Sequence, residues 1–200
     1  MDIDPNSSKK DALGAREAAI RGFLNFSSEA KYFMDINATG GLFLQKTLLE
    51  EAIQNYKGTE GLIIFGFTYV LYFSVINEFQ KSNIRFQLPD NSKVIHIGGW
   101  KKLESQKVSK EIFNQNTAEI FGVSPQNVID IYGFTEQMGL LYVSVGDGPK
   151  TVSTYSEIII RDFQTLEPVE DGKQGLIQIL TPLPHSYPGI SVLTEDVGKI

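Results

Sequence analysis

The chain has 200 residues, 42% hydrophobic and 11% aromatic, enough to pack one ample domain or two small ones and too much for a disordered chain. A formal net charge of −6, with Lys9-Lys10 and Lys101-Lys102 only as pairs, offers no basic stripe and argues against nucleic-acid binding. With no cysteine, disulfides, thiolate metal sites and a cysteine nucleophile are excluded within these residues; the acidic start Met1-Asp2-Ile3-Asp4-Pro5 does not read as a signal peptide, so a cytoplasmic location is expected.

Residues 1–14 read as a loose, polar segment. Ala19, Ile20, Phe23 and Leu24 share one helical face, which predicts a helix over 15–34. Asn37-Ala38-Thr39-Gly40-Gly41 breaks the pattern, and a second helix is predicted over 42–56, closed by Lys57-Gly58. The run at 61–66 is short and continuously apolar, as suits a strand buried on both faces of a parallel sheet. It leads into a helix over 70–81. The whole apolar stretch 61–76 includes Thr68, Tyr69, Tyr72 and Ser74 and falls short of the ~20 apolar residues of a membrane span.

Residues 93–97 form a second buried-type strand, ended by Gly98-Gly99-Trp100. Ser109 is placed to cap a helix over 109–121, and 128–131 is a third short strand. Strands alternating with helices predict an α/β fold: a parallel sheet with flanking helices. After Gly139 the texture changes. Segments 140–145, 157–161 and 175–180 are β-rich and joined by turns such as Gly146-Asp147-Gly148-Pro149, so a β-rich, antiparallel subdomain is expected to follow. The expected division is an α/β subdomain over 15–140 and a β-rich subdomain over 141–200.

Ile131-Tyr132-Gly133-Phe134-Thr135-Glu136 closes the third strand, and ligands of open α/β sheets bind beyond the carboxyl ends of strands. The loop offers an aromatic ring to stack on a base, a glycine for a tight turn, a hydroxyl for a phosphate oxygen and a carboxylate suited to Mg²⁺. An ordinary strand-to-helix turn, with Thr135 and Glu136 at a helix start, is the competing reading.

This stretch resembles the Tyr-Gly-x-Thr-Glu motif of the adenylate-forming superfamily. Two more segments follow that family's order. His96-Ile97-Gly98-Gly99-Trp100-Lys101-Lys102-Leu103 resembles the glycine-containing strand end bordering its adenine pocket, and the Gly-Gly-Trp-Lys-Lys wording is similar to the LuxE-type acyl-protein synthetases. Leu193-Thr194-Glu195-Asp196-Val197-Gly198 resembles the motif whose aspartate holds the ribose hydroxyls. The resemblance spans about residues 60–200 and makes the α/β subdomain nucleotide-binding. It implies ATP and Mg²⁺ as cofactors: Glu136 on the metal, Thr135 on phosphate, and Gly98, Gly99, Tyr132, Gly133 and Asp196 around the adenosine. The implied reaction activates a carboxylate, a fatty acid in the LuxE type, as acyl-adenylate and passes it to an acyl-acceptor protein.

Four departures accompany the match. No Ser/Thr/Gly-rich phosphate loop lies upstream, Asn6-Ser7-Ser8-Lys9-Lys10 being without glycine. Glu195 stands where the family has glycine. The chain stops at Ile200, short of the lysine-bearing lid, and has no acyl-accepting cysteine. A partial core that binds ATP weakly by itself is therefore expected. The alternative is a non-catalytic nucleotide-binding or scaffolding subunit of the same fold. Elsewhere His96 reads as a satisfied core histidine, Trp100 as a packing anchor, and Phe65, Phe67, Tyr69, Tyr72 and Phe73 as core aromatics. The two histidines have no zinc-site spacing.

Overall fold

A computed structural model describes residues 14–27, 29–137, 139–185 and 187–200; within these, the side chains of residues 14–18, Phe26, Lys102 and Thr135 are left aside. Of the expected loose segment only Gly14 is described, where it opens the first helix. The chain forms two compact units, one of residues 1–131 and 144–149, the other of 132–143 and 150–200.

The first unit opens with α1 (Gly14–Phe23), prolonged by a 3-10 turn (Leu24–Phe26). The helix does not reach residue 34. Ser27 is extended, and its hydroxyl donates to the carbonyl of Glu29, a local bond that competes with helix. Two short antiparallel strands follow, β1 (Met34–Ile36) and β2 (Leu42–Leu44). The expected break is their turn: Asn37 Oδ1 accepts from the amides of Thr39 at 3.1 Å and Gly41 at 2.7 Å. The second helix, α2 (Lys46–Gln54), accordingly starts four residues later than its apolar spacing suggested.

β3 (Ile63–Phe67), β4 (Lys93–Ile97) and β5 (Val128–Tyr132) pair in parallel, with Phe67 opposite Ile97 and Ile97 opposite Ile131. Between β3 and β4 the chain is helical from Thr68 to Lys81, as α3 (Thr68–Val70), a π-helical stretch (Leu71–Ile76) and α4 (Asn77–Lys81). Between β4 and β5 lies α5 (Lys110–Phe121), capped as expected by Ser109, whose hydroxyl accepts from the amide of Ile112 at 3.2 Å. The core packs these helices on the sheet: Val75, Ile76, Phe79, Val94, Ile120, Phe121 and Val128 are fully buried. Burying a side chain of this size stabilises by about 1.5–3 kcal/mol. Trp100 packs edge-on against Tyr72, Phe73 and Phe113, an anchor at the strand end. A fourth strand, β6 (Tyr142–Val145), joins this sheet beyond β5. Residues 142–145 of the segment expected over 140–145 thus belong to the parallel-containing sheet rather than to the antiparallel one.

The second unit contains the antiparallel sheet β7 (Glu157–Arg161), β8 (Gly175–Leu180) and β9 (Ser191–Gly198), with β8 in the middle. Its small core joins Leu140, Tyr142 and Ile179 to Tyr132, Phe134, Ile158 and Ile177. The fold is the expected one, mixed α/β with a parallel sheet and a β-rich region. Among the described residues no helix is long and apolar enough to cross a membrane.

Candidate functional site

Gly98 and Gly99 belong to the first unit and follow β4 directly. Gly98 takes φ +82°, a conformation that disfavours a side chain, while space is not limiting: an added Cβ would meet only Phe67 Cδ1, at 3.6 Å. A Cβ at Gly99 would meet nothing within 4 Å. The two positions therefore separate shape from stability. Gly98→Ala is expected to cost about 1–2 kcal/mol through backbone strain, and Gly99→Ala to stay within about 0.5 kcal/mol of the parent; denaturant unfolding of the two variants checks this.

His96, on β4, is 5% exposed. Its Nδ1 lies 2.9 Å from Thr68 Oγ1 and 4.0 Å from Asp130 Oδ1, and its ring lies 4.3 Å from that of Phe113. It is a hydrogen-bonded core histidine.

Tyr132, Gly133, Thr135, Glu136 and Asp196 fall in the second unit. Tyr132 ends β5 and Asp196 sits on β9, 64 residues later, yet the Tyr132 hydroxyl donates to Asp196 Oδ2 at 2.6 Å. The ring of Tyr132 tilts against Phe134 at 5.8 Å and Tyr142 at 6.0 Å. Burial first, then the hydrogen bond to Asp196 and the carboxylate's charge, push the Tyr132 phenol well above the ordinary tyrosine range. Asp196 is set by its own strand: its amide donates to Thr194 Oγ1 at 3.2 Å, and that hydroxyl donates to the carbonyl of Ile177 at 2.9 Å. Asp196 lies within β9, at a stretch where the pairing with β8 shifts register between Leu193 and Val197.

Gly133 is confined, since a Cβ there would lie 3.1 Å from Leu141 Cδ2 and 3.3 Å from the Leu140 carbonyl oxygen. A 3-10 turn (Thr135–Gln137) follows. The Thr135 side chain lies outside the described residues, and Glu136 is exposed. Behind them Gln137 is 1% exposed, and its amide nitrogen donates to the carbonyls of Ile179 at 3.1 Å and Gly189 at 2.7 Å. Gly189 passes so close to the turn that a Cβ there would stand 2.6 Å from the Glu136 carbonyl oxygen. Gln137 and Gly189 are the residues that sequence reasoning missed, and that Gln137 follows the motif directly was the only signal for it. Thr68 was singled out within Phe67-Thr68-Tyr69, for its resemblance to the family's acyl-binding region, and not as a partner of Gly98.

Among the described residues no three His, Cys, Asp or Glu side chains gather as a metal site. Mg²⁺ keeps several waters and takes one or two carboxylates plus phosphate oxygens, and an exposed carboxylate such as that of Glu136 is chemically able to be one of them. A separate surface hollow of about 680 Å³, lined by Lys31, Met34, Glu51 and Tyr56 among others, contains none of the motif residues.

The profile of the acyl-protein synthetase family LuxE matches residues 1–200. The chain belongs to this family. Two long-chain-fatty-acid–luciferin-component ligases are similar to it: that of Vibrio harveyi is 29% identical over 108 residues, 54% of this chain and 28% of the relative. That of Aliivibrio fischeri is 27% identical over 122 residues, 60% of this chain and 32% of the relative. The matched stretches thus span about a third of these curated relatives' length or less. The crystal structure of a long-chain-fatty-acid-CoA ligase from Archaeoglobus fulgidus superposes with a TM-score of 0.58 at 16% identity, covering 92% of this chain and 39% of that one. At that identity the likeness concerns fold alone: this LuxE-family chain shares the fold of part of that CoA ligase.

Proposed function

We propose that this chain carries the nucleotide-binding core of a ligase that activates a long-chain fatty acid with ATP and transfers it to a protein. The observation that carries this reading is the Tyr132–Asp196 contact, which joins an aromatic ring and a carboxylate from two distant motifs. A flat ring beside a carboxylate suits adenosine: the ring stacks on the base, and the carboxylate accepts hydrogen bonds from the ribose hydroxyls. Gly98 and Gly99 present side-chain-free backbone to the base, and Gly133 keeps the Tyr132 loop tight. Thr135 serves phosphate, and Glu136 the Mg²⁺ that travels with it, which neutralises charge on the phosphate oxygens. The substrate carboxylate oxygen attacks the α-phosphorus and pyrophosphate leaves; a thiolate then attacks the acyl carbon and AMP leaves. The chain has no cysteine, so that thiol belongs to another residue than these 200. The relatives' names supply the substrate class, a long-chain fatty acid, and a protein acceptor.

Titrating the ¹⁵N-labelled chain with adenosine and with MgATP tests this. Shifts are expected around Tyr132, Thr194 and Asp196 with both ligands, with weak binding, a Kd of about 1 mM. Asp196→Asn is expected to weaken both ligands about tenfold, and Glu136→Gln only MgATP, since one hydrogen bond to a charged group is worth about 1.5–3 kcal/mol. Shifts confined to the hollow around Lys31 and Tyr56, or equal loss of both ligands in Glu136→Gln, would refute the assignment.

A further inference from the structure

The side chains of Thr68 and His96 lie at the carboxyl ends of β3 and β4, both 5% exposed. Thr68 Oγ1 donates to the carbonyl of Gly98 at 2.5 Å and touches His96 Nδ1 at 2.9 Å. A hydroxyl has one hydrogen. A carbonyl can only accept, so that hydrogen is committed to Gly98, and Nδ1 must be the donor of the second bond. Proton count thus assigns the His96 tautomer: Nδ1 carries hydrogen and gives it to Thr68, with Asp130 Oδ1 at 4.0 Å on the side where positive polarisation of Nδ1–H is favoured.

We propose that Thr68 and His96 are positioning residues for the nucleotide, acting through Gly98. The relay starts on His96, passes through the Thr68 hydroxyl and ends on the one peptide whose φ of +82° sets the direction of the Gly98-Gly99 backbone. Space does not hold that peptide, because the nearest side-chain atom to an added Cβ is 3.6 Å away. The hydrogen bond to its carbonyl supplies the restraint instead. Two neighbouring parallel strands contribute to the relay, Thr68 following β3 and His96 on β4, so it also ties their ends to one another. A backbone edge meeting a flat base gains from being held before the ligand arrives, since ordering it on binding would subtract from affinity. The inference rests on the reading that Gly98 and Gly99 face the base.

The experiment has two readouts on the same ¹⁵N-labelled chain. A long-range imidazole spectrum is expected to show His96 as the Nδ1–H tautomer in the parent and in Thr68→Ser, and to lose that signature in Thr68→Val. MgATP titration is expected to give Thr68→Ser parental affinity and Thr68→Val affinity about tenfold weaker, the scale of one hydrogen bond. If Thr68→Val does not fold, the pair His96→Asn and His96→Leu replaces it: asparagine keeps a donor near the Nδ1 position and is expected to bind MgATP better than leucine. An Nε2–H tautomer in the parent overturns the relay. Parental affinity in Thr68→Val, or no difference between the two His96 variants, overturns the positioning role while leaving nucleotide binding intact. A parent chain that shows no MgATP-dependent shift overturns the nucleotide reading, and this role with it.

Discussion

Replacing Gln137 by leucine is expected to destabilise the second unit by about 2–4 kcal/mol, the largest single effect near the motif. Leucine keeps much of the volume, so the loss is not a cavity. It comes from two carbonyls, those of Ile179 and Gly189, which lose the amide that serves both. A buried acceptor left without a donor costs about 1–3 kcal/mol. The sum is tempered because Gln137 Oε1 is itself buried with no hydrogen-bond partner among the described residues, so its removal returns some free energy. Gly189→Ala is expected to act on the same joint, since its Cβ would strike the Glu136 carbonyl at 2.6 Å and Tyr187 at 2.4 Å. The two substitutions together should destabilise by less than their separate effects added. Urea unfolding of both single variants and the double variant measures this, and strict additivity would show that Gln137 does not anchor the Gly189 loop. Because Glu136 is the residue before Gln137, MgATP affinity should fall in Gln137→Leu even at temperatures where the fold persists.

The parts of the fold that were legible share one property: local sequence and tertiary role agree. β4 is a short apolar run, α5 has Ser109 at its cap, and β5 ends in the Tyr132 loop, so each element could be read from its own residues. β1 and β2 were not legible. Met34, paired with Leu44, is 3% exposed and clusters with Val70, Leu42 and Leu44; the apolar spacing of Leu42 and Leu44 fits helix or strand, and only the partner strand decides. β6 shows the same limit. Its alternation reads as antiparallel strand, but which sheet it joins is set by contacts remote in sequence. At the candidate site Tyr132, Thr135, Glu136 and Asp196 could be named from the sequence because each carries a distinctive chemical group, and Gly98, Gly99 and Gly133 only because their motifs resemble those of a family. The Tyr132–Asp196 bond was not, because it spans 64 residues. The carbonyl contacts of Gln137 and Thr68 went unread for a further reason: nothing in a side chain's identity announces which backbone carbonyl it will meet.

Tyr132→Phe is expected to change both the alkaline limit of stability and access to Asp196. In the folded chain the Tyr132 phenol is raised, by burial first and by Asp196 second; burial raises Tyr142 as well. The unfolded chain has ordinary tyrosines near pH 10. Above that pH the unfolded state loses protons that the folded state retains, so it binds fewer, and stability falls as pH rises. The stabilisation is fully present below about pH 10 and is lost progressively above it. Phenylalanine has no such proton. Tyr132→Phe should therefore start less stable at neutral pH, having lost a hydrogen bond to a carboxylate, and then decline less steeply from about pH 10 upward. Comparing the difference between parent and variant removes the contribution of the other tyrosines. Parallel stability curves across that range would mean that the folded phenol is not raised. The same hydroxyl occupies Asp196 Oδ2 in the chain without nucleotide, so a ribose that takes this oxygen must displace it. Phenylalanine keeps the stacking ring and leaves the carboxylate to the ligand. Adenosine should bind Tyr132→Phe at least as tightly as the parent, whereas a marked loss of affinity would show that the hydroxyl itself touches the nucleotide.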